Sequence, residues 1–306
     1  MAKPYLQVSL GEDEIASLLG AAALIPVMEE ALMAHASGTV EQPVRQIYSA
    51  GGDRGFVGLM PLFGSVMGLK LVTFYPGNAD LGLPTHLATI LLLDEKTGAL
   101  RAVLDGRLIT QMRTAAVSAV ATKLLARADA RTLAVLGSGV QAEAHVEALS
   151  LVRDFVEVRV WSRTPANALN FAERAGARAV ETPEEAVFGA DVVVTATAAS
   201  DPILRGEWLK PGCHVNAVGW NGPESRELDD KAMQGAVVVD SRAEALAHSG
   251  NLTAANVEIR AELGELLLGR SRVSPSETTV FLSVGMAVED LFAADLAVRH
   301  RAAGLA

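Results

Sequence analysis

Leu133-Ala134-Val135-Leu136 reads as a buried strand, and it runs without interruption into Gly137-Ser138-Gly139-Val140-Gln141-Ala142, after which residues 141–151 read as a helix. No other stretch restricts the fold as much. Two glycines in six positions say little alone, but between a strand and a helix they form the G-x-G-x-x-A turn of a dinucleotide-binding βαβ unit. Gly137 permits the tight turn, Gly139 lets a pyrophosphate approach the backbone, and Ala142 is small enough for helix and strand to pack. The amides of Gly137, Ser138, Gly139, Val140 and Gln141 then face the phosphates. The alternative is a glycine-rich turn with no ligand.

The next strand, residues 156–161, ends at Trp161-Ser162-Arg163-Thr164. An NAD-binding chain places an acid there for the ribose hydroxyls, and this chain has none. A guanidinium flanked by Ser162 and Thr164 suits a 2′-phosphate, so NADP(H) is preferred and NAD(H) stays open. Otherwise Arg163 is a solvated loop residue.

From residue 131 onward, β-rich runs at 133–136, 156–161, 192–195, 214–217 and 237–240 are separated by helical stretches or loops. That alternation predicts a parallel sheet covered on both faces. The first hundred residues differ. Ser9 and Glu12 suggest a capping box, residues 25–38 a helix, and runs at 56–60, 68–75, 89–93 and 100–104 strands without intervening helices, with a hairpin at 94–98. This part reads as an antiparallel or mixed sheet, followed by a helix at 110–126. Residues 286–301 read as a final amphipathic helix. The expected fold is α/β: a Rossmann dinucleotide-binding domain plus an α+β domain.

With 26 basic and 36 acidic side chains the net charge is -10, which argues against a nucleic-acid partner. Cys213 is the only cysteine, excluding an intramolecular disulfide and a thiolate zinc site. Residues 1–10 carry no basic stretch followed by an apolar run, and no segment approaches the ~18 apolar residues of a membrane span. A cytoplasmic protein without membrane contact is expected.

Two basic residues call for an anion. Arg113 falls in the first turn of a helix opened by Thr110, where the macrodipole disfavours a cation. A substrate carboxylate, a cofactor phosphate or an intramolecular acid such as Asp105 would answer it. Lys70, in Gly68-Leu69-Lys70-Leu71-Val72, lies on a strand apolar on both faces, so it is either near an edge or buried with a partner. Arg45 is a weaker candidate. Of six histidines, His145 and His300 carry no motif, and His86 gains a role only from the resemblance below.

Gln42-Pro43-Val44-Arg45, residues 70–75, Asp105-Gly106 with Thr110 and residues 113–118, the glycine turn and Asn216-Ala217-Val218-Gly219 resemble the ornithine cyclodeaminase and mu-crystallin family, over essentially the whole chain. Residues 202–208, 226–230, 278–281 and 285–290 agree further. The resemblance implies a substrate-binding and dimerising domain from residues 1–118 and 280–306, a Rossmann domain from 119–279, and a homodimer. It implies a substrate carboxylate held by Arg45, Lys70 and Arg113, with Lys70 and Arg113 closest to the chemistry. Thr85, His86, Arg113, Thr114, Thr197, Val218 and Ser283 are carried over as cofactor contacts, and His86, Asn221 and His248 as substrate contacts.

The departures narrow the activity. Cyclodeaminases carry an aspartate for the substrate amine where this chain has Asn221, and an amide is no base. They carry a glutamate where this chain has Gly58, and His248 stands where the crystallin branch has an acid. The expected activity is NAD(P)H-dependent reduction of a cyclic ketimine or related α-imino carboxylate to an amino acid. An amino-acid dehydrogenase or cyclodeaminase, and a small-ligand carrier or structural protein, are the alternatives.

Overall fold

Alternating apolar residues build the first sheet, and short, largely buried runs such as 133–136, 192–195 and 236–239 build the centre of the second. The computed structural model describes residues 8–52, 54–219, 224–274 and 276–305. The chain divides into two units, Met1–Arg113 with Met286–Ala306 and Thr114–Gly285.

The first unit contains β1 (Val8–Leu10), α1 (Glu12–Leu18), α2 (Ala21–Ser37), β2 (Val40–Glu41), β3 (Gln46–Ser49), β4 (Phe56–Gly64), β5 (Met67–Phe74), β6 (His86–Leu93) and β7 (Leu100–Asp105). The start of α3 (Arg107–Leu125) and the final helix α10 (Ala287–Ala302) complete it. The sheet runs β1-β7-β6-β5-β4-β2, with β3 also on β4. Every pairing is antiparallel except β1 with β7. Met60, Leu62, Val72, Ile90, Leu92, Ala102 and Leu104 point to one buried face, as a period of two requires. α10 lies against β4, β5 and β6 and against α2. Cross-strand register sets Lys70 between Met60 and Ile90 in this buried row.

Two local expectations are corrected here. Ser9 does not cap a helix: it is paired in β1 opposite Val103, and α1 is opened two residues later by Gly11, whose N–H donates to Glu14 at 3.2 Å. A six-residue 3-10 helix, Pro76–Leu81, interrupts the strand array between β5 and β6. Proline pre-set for its first position and Gly82 in the left-handed region after its last explain it.

The second unit contains β8 (Thr132–Leu136), α4 (Val140–Ser150), β9 (Glu157–Trp161), α5 (Pro165–Ala175), β10 (Arg178–Ala179), α6 (Pro183–Val187), β11 (Val192–Thr195), β12 (His214–Ala217), β13 (Ala236–Val239), α7 (Arg242–His248), α8 (Gly250–Ala255), β14 (Ile259–Glu262), α9 (Leu263–Leu267) and β15 (Thr279–Leu282). Its sheet is parallel throughout, ordered β10-β9-β8-β11-β12-β15-β13-β14. β9 and β10 extend it on one side of β8, and the chain then crosses to β11 on the other. That reversal is the topological switch point of a doubly wound sheet, where ligands meet the carboxyl ends of strands. β15 pairs with β12 and β13 at once, so the unit runs to Gly285 where the sequence reading placed a boundary at 279/280. The other boundary falls inside α3, at 113/114 against an expected 118/119.

Several buried polar groups in this unit are paired. His145 Nδ1 donates to the Gln141 carbonyl at 2.7 Å, so Nε2 accepts from the Ser118 hydroxyl at 2.9 Å. Arg153 closes the C-terminus of α3, donating to the carbonyls of Thr122, Ala126 and Arg127 at 3.0, 2.8 and 2.9 Å. A cation there complements the helix dipole.

Candidate active site

Lys70 sits in the middle of a covered sheet face with only 2% of its surface exposed. An isolated ammonium is costly there, and the first turn of α10 supplies the counter-charge. Asp290 Oδ1 accepts from Lys70 Nζ at 2.9 Å and from Arg113 Nε at 2.8 Å, while Glu289 Oε2 accepts from Arg113 Nη1 at 2.6 Å. All four side chains are buried. The two acids sit where a helix N-terminus favours negative charge. Gln42 fixes that terminus by accepting the Val288 N–H at 2.9 Å, which ties the segment carrying Arg45 to the same helix end.

The charges perturb one another. Burial pushes the Lys70 ammonium down to about 8, with Arg113 and Arg45 adding to the effect and Asp290 opposing it. Burial works to raise the Asp290 carboxyl, but Arg113 and Lys70 outweigh it and hold the group below the usual carboxylate range. His86, on β6, is pushed down to about 4 by burial and by the Lys70 ammonium. Arg45, Lys70, His86 and Arg113 therefore belong to one electrostatic cluster. Of the three N–H donors of Lys70, Asp290 takes one. Asp290 Oδ2 is buried without a hydrogen-bond partner among the described residues.

The sequence argument for Arg113 is corrected in its cause. α3 begins at Arg107, so Arg113 lies in its second turn, clear of the strongest field of the helix end. Asp105 is not its partner, since Asp105 Oδ1 accepts the Arg107 N–H at 2.8 Å and so opens the helix. The partners come from positions 176 and 177 residues away, a separation no local pattern reveals. Glu289 and Asp290 are the functional residues that sequence reasoning missed. Two adjacent acids opening the last helix were the available signal.

The second unit carries the dinucleotide turn. Gly137 has φ +126°, and a Cβ there would lie 2.5 Å from the Ala196 carbonyl oxygen, so no side chain fits. A Cβ at Gly139 would meet nothing within 4 Å. The backbone thus faces open space where a pyrophosphate would lie. α4 opens from Gly139 with no side-chain cap, leaving its first amides for an anion. Ser138 Oγ donates to Ser162 Oγ at 2.9 Å, joining the turn to the end of β9, and Arg163 and Thr164 follow on the exposed side. These residues fit a dinucleotide.

The remaining candidates are less concentrated. Thr197 and Val218 lie just beyond β11 and β12, and Thr197 donates through both its N–H and its hydroxyl to Glu227. Ser283 Oγ donates to Asp240 at 3.3 Å, and Asp240 Oδ2 also accepts the N–H groups of Val284 and Gly285 at 2.9 and 2.7 Å. His248, at the end of α7, lies 3.5 Å from Glu244. Thr85 accepts the Tyr75 N–H through its carbonyl at 2.8 Å. Thr114 is buried on α3. Asn221 lies outside the described residues.

A doubly wound parallel sheet with a glycine turn at its switch point defines a dinucleotide-binding class of protein. The chain belongs to the ornithine cyclodeaminase/mu-crystallin family, whose model matches residues 7–304. It is 48% identical to the ketimine reductase mu-crystallin of Mus musculus over 282 residues, 89% of this chain and 90% of that protein. Among solved structures, the Thermococcus litoralis Delta(1)-pyrroline-2-carboxylate reductase in complex with NADH and L-proline superposes with a TM-score of 0.92 at 35% identity, covering 97% of this chain and 98% of that one. An archaeal alanine dehydrogenase dimer with bound NAD gives a TM-score of 0.91 at 32% identity, covering 97% of each chain.

The cluster predicts an asymmetry between its members. Asp290→Asn leaves two buried cations sharing Glu289 and is expected to cost roughly 3–5 kcal/mol in urea unfolding. Lys70→Met removes one cation while Asp290 keeps Arg113, so its loss is expected to be under half as large. Equal losses would contradict the geometry.

Proposed function

We propose that this chain reduces the C=N bond of an α-imino carboxylate, cyclic or open-chain, to the corresponding amino acid. Relatives that reduce ketimines and pyrroline-2-carboxylate support this reading. The observation that carries it is the buried Lys70 ammonium: it is held in place through one of its N–H bonds, and two donors remain for a substrate carboxylate.

A bound reduced nicotinamide supplies the hydride. The chain's own residues do the rest. Lys70, Arg113 and Arg45 bind and orient the carboxylate, so the imine carbon is presented in a fixed pose. Burial of the cluster excludes competing water and strengthens each charge. An imine accepts hydride best when its nitrogen is protonated. Lys70, near pKa 8, is charged at neutral pH yet gives up a proton at modest cost, which suits it to supply that proton. His86, neutral over the same range, adds no further positive charge.

Deamination of a free diamine is disfavoured because the strand carries Gly58 where a cyclodeaminase has a glutamate. A Cβ at position 58 would lie 2.8 Å from Val72 Cγ1, so the packing here suits glycine, and a larger residue would require Val72 to move.

Two finer features belong to the same reading. The cofactor is NADP(H) in preference to NAD(H), supported by an exposed Arg163 and the absence of an acid at the end of β9. The protein is a homodimer. Its support is the outer face of the seven-stranded sheet, where Leu59 pairs with Leu71 and Pro61 with Leu69 while Phe63, Leu71 and Leu87 are 44%, 36% and 41% exposed. An apolar sheet face of this kind reads as covered by a partner, and a second copy is the simplest occupant.

Steady-state assays with a panel of imino acids and both reduced nucleotides test the activity. We expect rapid oxidation of NADPH with a cyclic ketimine, negligible turnover of ornithine, and an Arg163→Ala variant whose KM for NADPH rises about tenfold while its KM for NADH is unchanged. Consumption of neither nucleotide with any imine would refute the reading. Sedimentation is expected to give twice the mass of one chain, and Leu71→Lys, which places a charge on the outer face, to give the monomer. A wild-type monomer would remove the dimer.

A further inference from the structure

One buried carboxylate at the carboxyl ends of β11 and β12 takes every hydrogen bond it can accept. Glu227 is 2% exposed. Its Oε1 accepts the Thr197 N–H at 2.8 Å and the Thr197 hydroxyl at 2.6 Å, and its Oε2 accepts the Thr195 hydroxyl at 2.7 Å and the Gly219 N–H at 3.0 Å. An ionised carboxylate offers about four acceptor positions, and four donors fill them. Burial pushes the group upward and these donors oppose it.

The main chain beneath this side chain is equally constrained. The Glu227 carbonyl accepts the N–H groups of Ile203 and Leu204 at 2.8 and 2.9 Å, and Asn251 Oδ1 accepts those of Glu227 and Leu228 at 2.9 and 3.0 Å. The carboxylate is thus a fixed strut on which two strand ends rest. The glycines around it record the close approach. A Cβ at Gly219 would fall 2.3 Å from the Glu227 carboxyl carbon, and the one at Gly137 would strike the carbonyl of Ala196, next to Thr197. Ala196 also donates its N–H to Leu136 at 2.9 Å. The segment 195–197 is therefore held by Glu227 on one side and abuts the dinucleotide turn on the other.

In a doubly wound sheet the ligand crosses the carboxyl ends of the strands at the switch point. On the cofactor reading, the pyrophosphate would lie on the turn after β8, the adenosine ribose would reach toward β9, and the nicotinamide half would extend over β11 and β12. We propose that Glu227 is a positioning residue for the nicotinamide half of the cofactor, holding the loops after β8, β11 and β12 in register through Thr197 and Gly219. It touches no cofactor atom itself. The inference rests on the cofactor reading above.

The test is a fluorescence titration of NADPH and NADH into wild type, Glu227→Gln, Thr195→Val, their double variant and Gly219→Ala, with the melting temperature of each cofactor-free protein measured alongside. A Cβ at Gly219 would also strike the Thr197 carbonyl oxygen at 2.3 Å, so Gly219→Ala reports the crowding of the two loops, and Thr195→Val, which keeps the charge and removes one of the four donors to Glu227, carries the test if Glu227→Gln fails to fold. Glu227→Gln and Thr195→Val are each expected to raise the Kd roughly ten- to a hundredfold, and the double variant of these two to bind no worse than the poorer-binding single, because both act through the same carboxylate. Unchanged Kd in a cooperatively melting single variant would overturn the proposal, as would losses that multiply in the double. Failure of the wild type to bind either nucleotide would overturn the cofactor reading first, and the inference with it.

Discussion

A lysine in the buried row of a sheet cannot stay charged without an acid beside it, and Asp290 is that acid. The rest of the first unit follows from this requirement. The carboxylate stands 220 residues from Lys70 in sequence, so the last helix must return to the sheet built by the first hundred residues. It does so along its most buried stretch, in which Ala287, Val288, Leu291 and Ala294 are buried and the two acids stand in the first turn, with the helix against β4, β5 and β6. One oxygen of Asp290 serves both Lys70 and Arg113. Fold and chemistry thus share a single contact: the bond that lets the helix pack is the bond that keeps two cations charged.

The second unit handles charge differently. Its sheet interior carries neutral polar groups, such as His214, Asn216 and Thr279, that pair with one another, and its anions stand at the carboxyl ends of strands as acceptors for loops. Glu227 and Asp240 collect N–H and O–H groups from Thr195, Thr197, Gly219, Ser283, Val284 and Gly285. A buried acid filled with neutral donors fixes geometry without attracting a counter-ion. Such loops are preorganised, so less ordering is needed when a ligand binds.

How much of this was legible depends on the range of each interaction. The parallel sheet and the glycine turn were readable because strand, turn and helix are contiguous and each leaves a local pattern. Runs such as 192–195 and 214–217 coincide with β11 and β12 because both strands are buried at every position and are β-rich in sequence, although β12 carries His214 and Asn216. Short edge strands such as β2 and β10 carry two residues each and leave no pattern. Lys70 could be singled out as anomalous, but its partner could not be found by spacing. The first-turn position expected for Arg113 rested on a helix start three residues too late, although the requirement for a nearby acid was met by Glu289 and Asp290. The carboxylate struts escaped for the same reason, since Glu227 gains its meaning only when the ends of two strands converge on it. The resemblance to a family extended the reading to positions such as Thr197 and Val218, which no periodicity would select.

The central claim is that Lys70 is a carboxylate-binding cation whose charge is set by burial and by Asp290. Calorimetric affinity for a planar ring carboxylate between pH 6 and 10 tests it without cofactor or turnover. A folded-state pKa near 8 lies below the ordinary lysine value, so the ammonium is complete at pH 6 and is lost as the pH rises through 8. The account predicts constant affinity up to about pH 7, a progressive fall above it, and weak, pH-independent binding in Lys70→Met. Affinity that stays level to pH 10, or a Lys70→Met variant that binds as tightly as wild type, would contradict it.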